Sequence, residues 1–308
     1  MLGQGLIIVA VLGVALTASG EFVFEGDVDT LTLREGETPV LTYIYGTALP
    51  EGIDERFRRG GYIHPLFGLD GDRITEDFPG DHYHHRGVFW AWPQAHHGDR
   101  HMDIWHLGGV RSRFSRFVEL YSGPEEARLA VENIWSWDET SEVPVVVETM
   151  HVTVHLAKGD VRILDFRLEL ENVSDETVAL RGQVGAGYGG FNIRPDSARS
   201  PLQFTTIEGP LNEDRNQFQT PWAAVTLSPD DAGVVSGAAI CQHPDNPGFP
   251  HDGWTIRHYG FLGAAYPGNA SHDIEPGATE TFRYRVIVYR ESPIAVRLAE
   301  LFDEYLSR

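Results

Sequence analysis

Between Phe282 and Tyr289 the chain reads as a strand of period two. Phe282, Tyr284, Val286 and Val288 take every second place, with Arg283, Arg285, Ile287 and Tyr289 between them. A period of two is the signature of a strand with one face toward a core, and it predicts that the first set faces inward. Val145 to Leu156 and Val161 to Leu170 are two further long β-rich runs, joined by Lys158-Gly159-Asp160, which reads as a hairpin connection. More strand-like runs are Pro39–Tyr45, Val110–Tyr121, Arg128–Trp137, Thr177–Val184, Trp222–Leu227, Gly233–Cys241 and Ile256–Ala265. Turn signals separate them. Several of these runs exceed the usual strand length, so the expectation is an all-β fold, a large antiparallel β-sandwich. One segment departs from the pattern. Ser292 suits an N-cap and Pro293 a first helical position, and Ile294, Leu298, Leu301, Phe302 and Tyr305 fall on one helical stripe. A helix over 293–307 is therefore expected, packing on a sheet edge or closing one end of the sandwich.

The first twenty residues carry no charged side chain, and Leu6 to Ala18 is almost wholly apolar. That run is short for a bilayer span, which takes ~20 residues. Small residues at Ala18-Ser19-Gly20 suit cleavage before Glu21, so residues 1–20 read as a signal peptide, with an uncleaved N-terminal anchor as the alternative. Residues 21–308 read as one domain, secreted or periplasmic, with no membrane insertion once the leader is removed. Cys241 is the only cysteine, so no disulfide can form within the chain; it reads as a core residue beside Ala238, Ala239 and Ile240. The net charge of −21 argues against nucleic acid or anionic lipid as partners and leaves a small molecule or a glycan. The oligomeric state is not legible.

Histidines cluster between His64 and His106. The densest part runs Thr75-Glu76-Asp77-Phe78-Pro79-Gly80-Asp81-His82-Tyr83-His84-His85-Arg86-Gly87, too charged to be core. Pro79-Gly80 marks a loop, and Val88 to Trp92 then enters the sheet. If His82-Tyr83-His84 is extended, His82 and His84 share one face. Such a pair can hold a divalent metal or divide into an acid and a base. Asp77 or Asp81 would hold one ring in its working tautomer, and Arg86 would grip a carboxylate or a sugar hydroxyl. The candidate catalytic residues are thus His82, His84, His85, Asp77 and Asp81, with His82 and His84 the only metal candidates. The plain alternative is a hydrogen-bonded cap on the sandwich.

A second group follows at His96, His97, His101 and His106, with His96 and His97 expected on a mobile loop before Gly98. Trp90, Trp92 and Trp105 would offer faces for sugar rings, or be core. Gly185-Ala186-Gly187-Tyr188-Gly189-Gly190 has the glycine spacing of a dinucleotide site, but no helix can follow it. The glycines read instead as a place where a strand bends or a ligand approaches, with Arg194 emerging beside it. The late segment His243 to His251, followed by Trp254 and Arg257, is a proline-rich loop. His64, Arg86, Trp90, Trp92, Arg194, Asn246 and Arg257 form the candidate substrate-binding set. His64, His82, His84, Arg86, Asn246 and Arg257 are expected to line one concave face.

Taken together, Gly61-Tyr62-Ile63-His64-Pro65-Leu66 and Thr75 to Pro79 with His82, His84, His85, Arg86 and Gly87 resemble the opening signature of a bacterial family. That family is known as methane oxygenase PmoA, a domain of unknown function. Gly187 to Arg194 and His243-Pro244-Asp245-Asn246-Pro247 resemble its central and late motifs, so the resemblance runs from about Leu31 to Arg290. It implies a secreted protein of polysaccharide-degrading bacteria, with a fold like the supersandwich of galactose mutarotases and some polysaccharide lyases. The oxygenase of that name is a multi-span helical protein, whereas this chain reads as strands. A mutarotase would need a His–Glu pair, of which the sequence identifies only the histidine. The first expectation is a carbohydrate-active hydrolase, lyase or epimerase using His82 or His84 as acid or base, with Arg86 and Arg257 against developing charge. A non-catalytic glycan-binding protein is the alternative, and a copper or iron oxygenase with open metal positions is the third.

Overall fold

The computed structural model describes residues 20–137, 143–291 and 295–306. All of the leader except Gly20 lies outside the described residues, as do Ser292, Pro293 and Ile294 at the start of the expected helix. The long alternating runs pair as their patterns require. Val161–Asn172 lies antiparallel between Val146–His155 and Thr279–Arg290, so that Val152, Phe166 and Tyr284 stand opposite one another on the inner face. Gly159 turns the first hairpin with φ of +62°, a conformation that costs glycine nothing. Among the described residues the strands form two nine-stranded antiparallel sheets and one of four strands.

The two large sheets are stacked as a β-sandwich, with the core between them. Phe191, on Gly190–Ile193 of the first sheet, stacks on Tyr284 at 4.6 Å and meets Phe166 at 5.2 Å, both from the second. The glycine run serves this packing. A Cβ on Gly190, where φ is +68°, would fall 2.5 Å from the carbonyl oxygen of Ala264, so only glycine lets this strand lie beside Phe261–Ala264.

Three details differ from the sequence reading. Ile256–Ala265 is not one strand but a hairpin of Trp254–Arg257 and Phe261–Ala264, turned through His258, Tyr259 and Gly260. His96 and His97 are not on a free loop: Ala95–His97 pairs with Arg100–Met102 in the four-stranded sheet, and His97 contacts Ser174 and Trp137. The helix, Ala295–Leu306, lies on the outer face of the second sheet rather than on an edge. Leu298, Leu301, Phe302 and Tyr305 cover Trp222, Ala239, Cys241, Ile287 and Tyr289. Both faces of Thr279–Arg290 are therefore buried there. No helix of the described residues is long and apolar enough to cross a membrane.

Candidate functional site

The His82–His84 segment is not extended. The His82 N–H donates to the Pro79 carbonyl and the His85 N–H to that of His82, both at 2.9 Å, so two tight turns follow one another. Turns, not pleating, bring the rings together. His82 lies 5.6 Å from His84 and stacks on His85 at 4.7 Å with the planes 4° apart. His106 arrives from a distant segment, 4.5 Å from His84.

Two buried arginines shape this loop. Arg86 donates to the carbonyls of Tyr83, His85 and Phe57 and lies 3.6 Å from Asp77. Arg194 donates to Glu76 (2.6 Å) and Asp81 (2.9 Å), with Nη1 3.4 Å from Nδ1 of His85. Both are essentially unexposed, at 0% and 1%. Their burial and their bonds to Tyr83, His85, Phe57, Glu76 and Asp81 give them a scaffolding part in place of the ligand-gripping one expected from the sequence, although the Arg86 Nε–H keeps no hydrogen-bond partner. Asp77 likewise holds no imidazole. It accepts from the Tyr62 hydroxyl (2.8 Å) and the Phe78 N–H, and burial raises its carboxyl against the pull of Arg86.

Asp81 does take the expected part: its Oδ2 lies 2.9 Å from Nδ1 of His82. A second pair mirrors it, with Oδ2 of Asp103 3.0 Å from Nδ1 of His106. The Asp103 carboxylate fixes the His106 tautomer and leaves its Nε2 for a ligand, whereas the Asp81–His82 contact is close but lacks hydrogen-bond geometry, so His82 Nδ1 keeps no hydrogen-bond partner. His82 and His106 are 35% and 49% exposed. Between them His84 is pushed down to about 3, by burial first and then by the neighbouring His106 and His82. Burial drives the enclosed His85 lower still. Trp105, at 5.5 Å from His85, packs beneath the cluster.

Arg257 joins this site through Tyr188. Its Nε donates to the Tyr188 hydroxyl at 2.8 Å, which lies 3.3 Å from that of Tyr259, and Tyr259 stacks on His82 at 5.0 Å. Other sequence candidates fall elsewhere. Trp90 and Trp92 are buried, Trp90 parallel to Phe191 and Trp92 donating to the Tyr266 carbonyl, so neither offers a face to a sugar. His64 contacts Thr75 at 3.1 Å and is lowered to about 4 by burial and by Arg73, outside the ring stack. Asn246 bonds both backbone groups of Arg283, each at 2.7 Å, which fastens the late loop to the second sheet instead of to the histidines. The single concave face expected for all six residues is not formed. Asp103, Tyr188 and Tyr259 were missed. The Asp103–His106 spacing was the one local signal, since an Asp three residues before a His can close a turn onto it.

Over residues 30–303 the chain matches the family of unknown function DUF6807, and it belongs to that family. No protein of curated function matches it. Among solved structures it is similar to an α-galactosidase from Lactobacillus brevis (8% identity, 88% of this chain and 39% of that one, TM-score 0.42). It is also similar to heparan sulfate lyase HepC from Pedobacter heparinus (11%, 90% and 36%, TM-score 0.38) and to galactose 1-epimerase from Lactobacillus acidophilus (12%, 88% and 98%, TM-score 0.37). The chain thus spans well under half the length of the galactosidase and of the lyase.

Proposed function

We propose that the protein is a carbohydrate-active enzyme working outside the cytoplasm, with His82, His84 and His106 as its acid/base groups. The reaction is hydrolysis, elimination or epimerisation at a sugar. One observation carries this reading: two imidazoles with a carboxylate at Nδ1 flank a third that burial keeps neutral, and the rings follow one another at 5.6 and 4.5 Å. An imidazole held at Nδ1 by a carboxylate accepts a proton at Nε2 as general base, and the imidazolium so formed returns it as general acid. Arg257 and the hydroxyls of Tyr188 and Tyr259 stand beside them to hold sugar hydroxyls and meet developing negative charge. The apolar leader supports export. The oxygenase named by the resembled family would need ligands converging on one point. Among the described residues no group of three or more His, Cys, Asp or Glu does so.

The experiment is a turnover screen of the purified protein against neutral and acidic glycans and monosaccharides. It follows new reducing ends, unsaturated products and optical rotation. Turnover that disappears in His84→Ala supports the reading. Binding without turnover makes this a glycan-binding protein on the same residues. Neither turnover nor binding ends the carbohydrate reading.

A further inference from the structure

A separate constellation lies on the outer face of the second sheet and shares no residue with the histidine site. His151, Arg167 and Arg283 occupy directly opposed positions on three adjacent strands, His151 across from Arg167 and Arg167 across from Arg283. His243 continues the line, its N–H donating to the Arg283 carbonyl. Neighbouring strands stand ~4.8 Å apart, and like charges placed directly opposite one another repel. Glu169 meets the charge of Arg167 and also contacts His151, which leaves Arg283 as the member of the row without a carboxylate.

The neighbouring carboxylates are paired with cations other than Arg283, Asp245 lying 3.6 Å from His243. Arg167 pairs with Glu169, Arg128 with Glu119 and Glu126, and Asp165 takes Arg285 in a two-pronged contact at 2.7 and 2.9 Å. Among the described residues Arg283 is bonded through its backbone, to Asn246 and His243, and its guanidinium has no hydrogen bond or ion pair, in a chain whose net charge is −21. Arg285 beside it is 1% exposed and keeps a buried Nη1 without a hydrogen-bond partner. These groups line a cavity of about 400 Å³ walled by Tyr305 of the helix, within the size range of small-ligand pockets.

We propose that this groove binds a sugar bearing an oxyanion, a uronate carboxylate or a sulfate ester, with Arg283 as its anchor and Arg167 and His243 beside it. A guanidinium presents paired N–H donors that match either anion two at a time. The anion preference follows from Arg283 and Arg285 in the groove; only the saccharide body rests on the function proposed above.

The test titrates the full chain with glucuronate, galactose 6-sulfate, galactose and inorganic sulfate, using calorimetry at low and high salt. Arg283→Gln, Arg283→Lys and His82→Ala are compared after circular dichroism confirms that each is folded. At least one charged sugar should bind, with galactose silent, and which one binds tells carboxylate from sulfate. Arg283→Gln should weaken that binding about tenfold or more, and Arg283→Lys less. His82→Ala should leave it unchanged, so a failure of the histidine chemistry does not touch this result. Unaltered binding in Arg283→Gln, or no binding by any charged ligand, overturns the proposal. Inorganic sulfate binding as tightly as the sulfated sugar overturns its saccharide part.

Discussion

Asp81 shows how one side chain can serve both scaffold and chemistry. One oxygen receives Arg194 and the other faces His82. Burial works against its charge, but the His82 and Arg194 contacts win and hold its carboxyl below the usual range. The same division separates His84 from Arg86, two residues apart. His84 has ring neighbours, so its loss should be felt in chemistry. His84→Ala should lower turnover by ~10²–10⁴-fold while stability moves by about 1 kcal/mol. Arg86 is buried against three carbonyls and Asp77, so Arg86→Met strips partners from the buried carbonyls of His85 and Phe57 and from the Asp77 carboxylate. It should cost ~3–5 kcal/mol of stability. Urea unfolding and turnover per folded molecule, measured on both variants, separate the roles. A destabilised His84→Ala with full turnover would make that histidine scaffold.

At the scale of elements, legibility in the sequence followed the range of the forces involved. Val146–His155 and Val161–Asn172 were readable because alternation is a local record of burial. The turn through His82 and His85 was not. Pro79-Gly80 announces a turn, but its continuation depends on Arg86 reaching the Phe57 carbonyl, a contact 29 residues away. Tyr259 was hidden for a related reason: Ile256 to Ala265 resembles one strand, while the chain folds back there and puts the ring against His82. The helical stripe was plain, but not which surface it would cover. That surface was marked by the second alternating set, Ile287 and Tyr289, apolar where a solvent face would be polar. Leu301→Ala should therefore behave as a core deletion, costing ~2–5 kcal/mol in urea unfolding. A loss below about 0.5 kcal/mol would mean the helix is not docked as described.

For the whole molecule, the histidines couple stability to pH in a direction that can be worked out. His64 is lowered to about 4, His84 and His251 to about 3, and His85 further, with burial the leading cause in each. In the unfolded chain each would titrate near about 6.5. Between those values the unfolded state takes up protons that the folded state refuses. Their stabilising contribution is therefore complete above about pH 6.5 and is lost as pH falls toward 4 and then 3. The buried carboxyls of Asp77 and Glu148 are raised by burial and act in the opposite sense. Lowered carboxyls such as Asp165 reinforce the loss only near and below their own range. The histidines outnumber the two raised acids, so unfolding free energy should fall as pH drops from about 7.5 to about 4.5. His251 is the cleanest site to test. It is 5% exposed, and burial alone depresses it. Its Nδ1 accepts from the Gly253 N–H at 3.1 Å, which places its proton on a buried Nε2. Each such histidine adds up to ~1.4 kcal/mol per pH unit to the slope. His251→Gln should remove about one proton's worth of that slope, even where it also lowers stability at neutral pH. Urea unfolding across this pH range for both proteins gives the two slopes. Parallel curves would show that His251 is not held neutral by the fold, and a native protein that gains stability on acidification would show that the raised carboxyls outweigh the histidines.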